Sequence, residues 1–276
     1  VFSPDSATVG TSTILVNNAG ASSSAQTFAG TTGVNNLVGA SGADTFDFST
    51  TGTLNDVDTL DGGAGSDILS LTNAGSTTLT PNVENIETIN VTPSSDALVI
   101  NLANTESKFE SIKLVSGSTN SLTVNDVAVL PGKVGITNGS GNLTVNMKAA
   151  ATAGSSDTIN IELAGATSGA DVNITSDNVG ASSIEAATIN SVAAANTLTT
   201  LALDGAASLS VSGDQSLTLV QALAATVVTI DASAMTGVSG LTLSADPSAL
   251  AVTITGSGGI DALRGVSAET DEVSIG

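Results

Sequence analysis

Several residue types that most active sites require are missing from this chain. Its 276 residues include no Cys, His, Trp or Tyr, and only five are Lys or Arg. Zinc sites need Cys or His, and Ser-His-Asp or Cys-His catalysis needs His. Binding of nucleic acid relies on Lys and Arg. We therefore expect no nucleic-acid partner, and we expect that the chain is not an enzyme.

Other absences concern membranes, disulfides and charge balance. No apolar run is long enough to span a bilayer, so the chain is not expected to be membrane-embedded. Without cysteine no disulfide can form. The net charge of −21 makes the carboxylates repel one another in a compact state. Because divalent cations would relieve that repulsion, the composition favours a metal-loaded state without naming the metal.

Short apolar segments separated by Gly, Asn, Asp and Ser begin at residue 37 and predict β-strands. Asp44 and Asp67 occupy equivalent positions in similar loops. The interval between them is the first sign of a repeat. Residues 86–91 and 109–114 share the order apolar, Glu, hydroxyl, Ile, polar, apolar, and the interval between them is the same. Two motifs with one interval indicate a structural repeat of that length.

A shorter unit alternates apolar and hydroxyl residues, as a strand with one buried face should. Its copies are unevenly spaced, for example at residues 121–124, 142–145, 208–211 and 216–219. Uneven spacing suits a solenoid whose turns carry more than one strand. The prediction is an all-β, parallel β-helix-like β-solenoid with Gly/Asp calcium-binding turns. A β-sandwich remains the alternative, because alternation does not fix strand direction. Ala-rich residues 186–196 and 216–225 suggest a turn or two of helix.

The predicted organisation has two parts. Residues 1–36 are a Ser/Thr/Gly-rich connection or leading strand, and residues 37–276 are the solenoid. The chain opens at Val1 instead of Met, and we interpret it as a segment of a longer protein.

The most specific motif is residues 62–70, Gly-Gly-Ala-Gly-Ser-Asp-Ile-Leu-Ser, which fits the nonapeptide G-G-x-G-x-D-x-U-x at every specified position. Glycines let the backbone turn tightly and approach a cation. The aspartate supplies a hard oxygen of the kind calcium prefers. The apolar residue at U is expected to point inward where a strand begins. An alternative interpretation is an ordinary Gly/Asp turn.

Two variants lack the second glycine: residues 39–46 and residues 256–263. An EF-hand at Asp56 is excluded, because its glycine position is Asp61 and its last position is Asp67 instead of Glu. The candidate calcium ligands combine the three loops with the acids before the second loop. They are Gly39, Gly42, Asp44, Asp56, Asp58, Asp61, Gly62, Gly63, Gly65, Asp67, Gly256, Gly258 and Asp261.

These loops, and phrases such as residues 82–89 and 229–235, resemble the calcium-binding, RTX-type surface-layer (S-layer) proteins that Gram-negative bacteria export by type I secretion. The resemblance implies a β-solenoid ectodomain, Ca²⁺ at the turns, and self-assembly into a lattice outside the cell. It also allows contact with cell-surface polysaccharide through another region. An RTX-type adhesin or spacer module of a secreted protein is the alternative function.

Overall fold

The computed structural model describes residues 15–18, 23–49, 53–73, 78–94, 97–103, 105, 108–115, 117, 119–177, 184–203, 205–224, 226–244, 251–264 and 272–274. Strands and one 3₁₀ turn, Ala149–Thr152, are the regular elements of these residues. The strands are β1 Leu15–Asn18, β2 Thr27–Ala29, β3 Asn35–Val38, β4 Thr45–Phe48, β5 Thr59–Asp61, β6 Ile68–Asn73, β7 Thr78–Leu79, β8 Asn82–Glu84, β9 Thr88–Pro93, β10 Ala97–Asn101, β11 Ser111–Val115, β12 Ser121–Val127, β13 Lys133–Gly139, β14 Leu143–Met147, β15 Thr158–Ala166, β16 Asp171–Ser176, β17 Ala186–Val192, β18 Asn196–Leu198, β19 Thr200–Leu203, β20 Ser208–Gly213, β21 Leu217–Leu219, β22 Thr229–Met235, β23 Leu241–Ser244, β24 Thr253–Thr255, β25 Ala262–Arg264 and β26 Glu272–Ser274.

The chain winds as a β-solenoid. One twelve-stranded sheet, in the order β2-β4-β6-β9-β11-β13-β15-β17-β20-β22-β24-β26, runs along it. The other strands of successive turns form three smaller sheets, with orders β1-β3-β5-β8, β7-β10-β12-β14-β16-β19 and β18-β21-β23-β25. The described strand pairings are all parallel. The solenoid prediction is therefore confirmed, and the antiparallel β-sandwich is wrong.

The register confirms the repeat interval predicted from the sequence. Thr45 pairs with Ile68, and Ile89 pairs with Ile112, so each partner lies one predicted repeat further along the chain. Turn length nevertheless varies: the interval is shorter from Thr27 to its partner Thr45 and longer from Thr158 to its partner Ala186. Loops of different length are accommodated because only the strands must stay in register.

Alternating side chains fill the interior in stacked columns. One column consists of buried residues that pair in register across eight strands of the long sheet: Phe46, Leu69, Ile89, Ile112, Val134, Ile161, Ile189 and Val211. Phe28 stacks on Phe46 with ring centroids 5.1 Å apart. The buried side chains form one continuous cluster from Phe28 to Ile254. Each turn thus buries its apolar face against its neighbours, which a single turn cannot do alone.

Neither Ala-rich segment contains helix in its described residues, which corrects the sequence interpretation. Ala186–Val192 is β17, paired on both sides with β15 and β20, and Leu217–Leu219 is β21. Helix propensity is a weak preference that tertiary pairing overrides. Within the described part of the chain, no helix has the length and apolar character that crossing a bilayer requires.

Strands β1 and β2 fall in residues 1–36, the predicted connection or leading strand. Both pair with strands of the predicted solenoid region, β1 with β3 and β2 with β4. The division of the chain at residue 37 stays a prediction.

Candidate metal site in the glycine-rich loops

Acidic residues stand directly before strands of the long sheet and connect successive turns. The N–H of Gln26 donates to Oδ1 of Asp44 at 2.8 Å. The N–H of Asp44 donates to Oδ1 of Asp67 at 2.6 Å, and the N–H of Asp67 donates to Oε2 of Glu87 at 2.7 Å. Each carboxylate therefore satisfies a backbone donor of the preceding turn. Such charge-assisted bonds are stronger than neutral ones.

The same arrangement recurs at three other corners of the solenoid. Oδ1 of Asp58 accepts the N–H of Asn35 at 2.7 Å, and Oδ1 of Asp261 accepts the N–H of Leu241 at 2.7 Å. Glu185 accepts the N–H of Asp157 at 2.5 Å. We call these six acids inter-turn carboxylates: Asp44, Asp58, Asp67, Glu87, Glu185 and Asp261.

The three glycine-rich loops differ in the hydrogen bonds of the second carboxylate oxygen, Oδ2, of their motif aspartate. Oδ2 of Asp44 accepts the N–H of Ala40 at 2.8 Å, and Oδ2 of Asp261 accepts the N–H of Ser257 at 2.7 Å. Both donors come from the aspartate's own loop. Oδ2 of Asp67 is buried and has no hydrogen-bond partner among the described residues. A buried carboxylate oxygen without a partner is costly.

The second glycine of the complete nonapeptide accounts for this difference. Gly63 occupies the position of Ala40 and Ser257, and it lies at φ +85°, a conformation that glycine adopts without steric cost. Its N–H donates to Oδ1 of Asp61 at 3.0 Å and leaves Asp67 without that donor. Of the three glycine-rich loops, the one that matches the nonapeptide in full is thus the one whose aspartate has an oxygen with no hydrogen bond to the described residues.

Two oxygens lie close to Gly62, which has no side chain: Oδ2 of Asp67 and the backbone carbonyl of Asn85. A Cβ on Gly62 would lie 2.6 Å from Oδ2 of Asp67 and would collide with the backbone carbonyl of Asn85. Asp61 is close by, since its Oδ1 also accepts the side-chain amide of Asn85 at 2.8 Å. Calcium binds carboxylates, backbone carbonyls and water. Asp67 Oδ2 and the Asn85 carbonyl are therefore oxygens of the kind that calcium binds, and Asp61 lies nearby.

The site is not a cluster of acidic side chains. Across the residues that the structure describes, no group of three or more Asp or Glu side chains is placed to hold a metal ion. A cation at Asp67 would therefore depend on backbone carbonyls and water for most of its ligands.

Burial and neighbouring charges act on Asp67. Burial raises the pKa of its carboxyl above the ordinary value, and the negative charges of Glu87, Asp44 and Asp61 raise it further, whereas the hydrogen bond from Asp44 lowers it. A divalent cation would counter both effects that disfavour the ionised form. Burial also raises the pKa of Asp58, although the N–H groups of Asn35 and Asn55 oppose it.

The remaining candidate acids have partners within the protein. Asp58 is buried, and its Oδ2 accepts the N–H of Asn55 at 2.7 Å. Asp56 is exposed and accepts the N–H of Thr80 at 2.7 Å. Asp44 and Asp261 use both oxygens, as described above. The structure therefore brings Asp61, Gly62, Gly63 and Asp67 together, whereas the carboxylates of Asp44, Asp56, Asp58 and Asp261 accept other backbone N–H groups.

Most of the candidate glycines allow close stacking of loops. A Cβ on Gly39 would collide with the carbonyl of Gly62, and one on Gly65 with the carbonyl of Gly42. A Cβ on Gly42 would lie 2.6 Å from the Ser24 carbonyl. Gly258 is different, because no atom of the described residues lies within 4 Å of its Cβ position. Gly39, Gly42, Gly62, Gly63 and Gly65 thus allow loop-to-loop contact, whereas a Cβ on Gly256 would meet Asp261 of its own loop.

Two inter-turn carboxylates, Glu87 and Glu185, were missing from the predicted site residues. Their signal was present in the sequence as an apolar residue followed by Glu, at Ile86-Glu87 and Ile184-Glu185. Ile86 and Ile184 are fully buried, and each glutamate precedes a strand of the long sheet. The pattern marks a corner of the solenoid.

Comparison of the chain with protein-family models, with curated proteins and with solved structures found no match.

Proposed function

We propose that this chain is a non-enzymatic, structural cell-surface protein of the RTX-type S-layer kind, which assembles with copies of itself into a calcium-dependent extracellular lattice. The observation that carries the proposal is Oδ2 of Asp67, a buried carboxylate oxygen that lies near the Asn85 carbonyl and has no hydrogen-bond partner among the described residues. It occurs in the one loop with the complete nonapeptide.

Calcium at this loop would hold adjacent turns together. Asp67 belongs to one turn and Asn85 to the next, so an ion shared by their oxygens links the two directly. A ligand that binds the folded chain alone stabilises it by about 2.7 kcal/mol at a concentration one hundred times its dissociation constant. The ion also offsets part of the net charge of −21.

Acidic side chains at the surface would bind cations that are shared between neighbouring copies of the chain. Asp61 and Glu84 pair in register on adjacent strands, and Glu84 is exposed. Like charges side by side repel, and a divalent cation shared with a neighbouring molecule relieves that repulsion. With aromatics at 2% of the chain, lateral contacts depend on area and bridging cations more than on aromatic anchors. Attachment to cell-surface polysaccharide is expected through another region.

The test is negative-stain electron microscopy of the purified chain with millimolar calcium and with a chelator. We expect sheets or tubes that form with calcium and disperse with chelator. Asp67→Asn keeps an acceptor for the Asp44 N–H but loses the charge, and it should not assemble. Asp261→Asn is the matched control, because both oxygens of Asp261 already have protein donors. A chain indifferent to calcium would instead favour an adhesin or spacer module.

A further inference from the structure

Asn138 and Gly139 end strand β13 and form the one Asn-Gly dipeptide of the chain. Asn138 is exposed and lies at φ +55°, and Gly139 lies at φ +127°. The pairing of β13 with β15 skips this point, since Thr137 pairs with Ala164 and Gly139 with Ala166. The backbone therefore leaves regular strand geometry at Asn138.

The side chain of Asn138 is less restrained than those of several other asparagines on the solenoid surface. Nδ2 of Asn125 donates to Asn101, and Nδ2 of Asn146 donates to Asn125, which makes an amide ladder along one sheet. Asn142, shortly after Asn138 in the chain, accepts the N–H of Asp171 at 3.1 Å. Among the described residues, none is hydrogen-bonded to the Asn138 amide, and the facing Gly165 has no side chain to confine it.

We propose that Asn138 is a site of spontaneous deamidation and isoaspartate formation in the folded protein. The deprotonated backbone nitrogen of Gly139 attacks Cγ of Asn138, so that an N–Cγ bond forms. The Cγ–Nδ2 bond breaks, and Nδ2 leaves as ammonia after taking a proton from water. Water then opens the cyclic imide at either carbonyl and gives aspartate or isoaspartate. No atom changes oxidation state, and water is the co-reactant.

Gly139 favours this reaction because it has no Cβ to obstruct the approach of its nitrogen and because it adopts many backbone conformations. The product matters locally. The carbonyl of Gly139 accepts the N–H of Thr167 at 2.8 Å. Isoaspartate inserts a methylene into the main chain before that carbonyl, which weakens this contact between turns, and both products add one negative charge.

The experiment follows the folded full-length chain by peptide mapping and mass spectrometry during incubation in mildly alkaline buffer. A synthetic peptide of residues 133–144 serves as the unstructured reference, and isoaspartate is quantified with an isoaspartyl methyltransferase. Asn142, in the same proteolytic fragment, is the internal control. Gly139→Ala tests the role of the following residue, and circular dichroism checks that this variant is folded.

At Asn138 we expect the mass increase that accompanies conversion of the amide to an acid, together with the isoaspartate signal. We expect little or no conversion at Asn142. Folded Gly139→Ala should lose most of the conversion at Asn138. The proposal is overturned if Asn138 stays intact in the folded chain while the peptide converts. It is also overturned if Asn138 and Asn142 convert at the same rate. Neither calcium binding nor assembly enters this result.

Discussion

The backbone N–H of Asp44 donates a hydrogen bond of 2.6 Å to Oδ1 of Asp67, the residue at the same corner one turn later. The aspartate of the glycine-rich motif therefore has a structural task whether or not a cation is present. It satisfies a backbone donor of the preceding turn. The cation site that we propose uses the other oxygen of the same side chain, so the two roles are compatible.

Gly62→Ala should destabilise the chain and abolish its response to calcium. Its Cβ would collide with the Asn85 carbonyl and lie 2.6 Å from Oδ2 of Asp67, so the loops must move apart. We expect a loss of about 1–3 kcal/mol in the free energy of unfolding in urea. Gly258→Ala is the matched control, because its φ lies outside the left-handed range and none of the residues described by the structure comes within 4 Å of that Cβ position. Equal effects of the two variants would contradict this account of the glycines.

Asp58 tests the inter-turn carboxylates away from the proposed cation site. Asp58→Ala removes the acceptor of two backbone N–H groups, those of Asn35 and Asn55. An unsatisfied buried donor costs about 1–3 kcal/mol, so we expect a loss in that range or above it. Asp58→Asn keeps one acceptor and should cost less. Urea unfolding with chelator present measures both, and a loss no larger than that of exposed Asp56→Ala would refute the structural role.

The pH dependence follows from the buried aspartates. Burial raises the folded-state pKa of Asp67 and of Asp58 above the ordinary value of 3.8. At a pH between the ordinary pKa and the folded-state pKa, the native state therefore binds more protons than the unfolded state. In chelator, the stability of the fold should therefore rise as the pH falls from neutral through the folded-state pKa. The gain should be complete near the ordinary value.

Asp67→Asn should flatten this rise, because an amide does not titrate, whereas exposed Asp56→Asn should keep it. The measurement is the free energy of unfolding in urea at a series of pH values. Glu162 works in the opposite direction. Burial raises its pKa, but the hydrogen bonds and charges of Lys113 and Lys133 together outweigh burial and lower it, so its contribution to stability is lost as the pH falls through the folded-state pKa. A stability that only falls on acidification would contradict the account.

Glu162 connects two lysines on the outer face of the long sheet. Its carboxylate lies 2.6 Å from Nζ of Lys113 and 2.8 Å from Nζ of Lys133. Lys113 reaches it across Gly135, which pairs in register with both Lys113 and Glu162 and has no side chain in the way. Glu162→Gln should cost roughly 1 kcal/mol, and added salt should reduce the cost. A loss that does not depend on salt would point to packing instead.

The repeated residues correctly predicted which strand positions pair between successive turns, but they did not determine whether the strands are parallel or antiparallel. Asp44 and Asp67 lie one turn apart, and so do Ile89 and Ile112, because identical corners must recur wherever turns stack. Alternation of apolar and hydroxyl residues could not distinguish a solenoid from a sandwich, since either buries one face of a strand. A turn or two of helix was wrongly predicted at Ala186–Val192 for a related reason. Pairing with two neighbouring strands determines its conformation, and the local sequence does not indicate that pairing.

The sequence motif predicted which loop holds the candidate site, but it did not predict the hydrogen bonds or the backbone carbonyl at that site. The complete nonapeptide pointed to Asp67 over Asp44 and Asp261, and Asp67 alone of these three has an oxygen without a protein donor among the described residues. The sequence could not show that Asp44 and Asp261 would be saturated by Ala40 and Ser257, since that depends on how each loop orients its own N–H. The contribution of Asn85 is a backbone carbonyl, which carries no residue signature.

Isothermal titration of chelator-treated protein with calcium tests the central claim most directly. The account predicts saturable calcium binding that Asp67→Asn abolishes and Asp261→Asn retains. Of the three motif aspartates, Asp67 alone has a carboxylate oxygen to which no residue that the structure describes donates. Binding that is absent from the unmodified chain, or unchanged in Asp67→Asn, would contradict it and leave the glycine-rich loops as hydrogen-bonded corners of the solenoid.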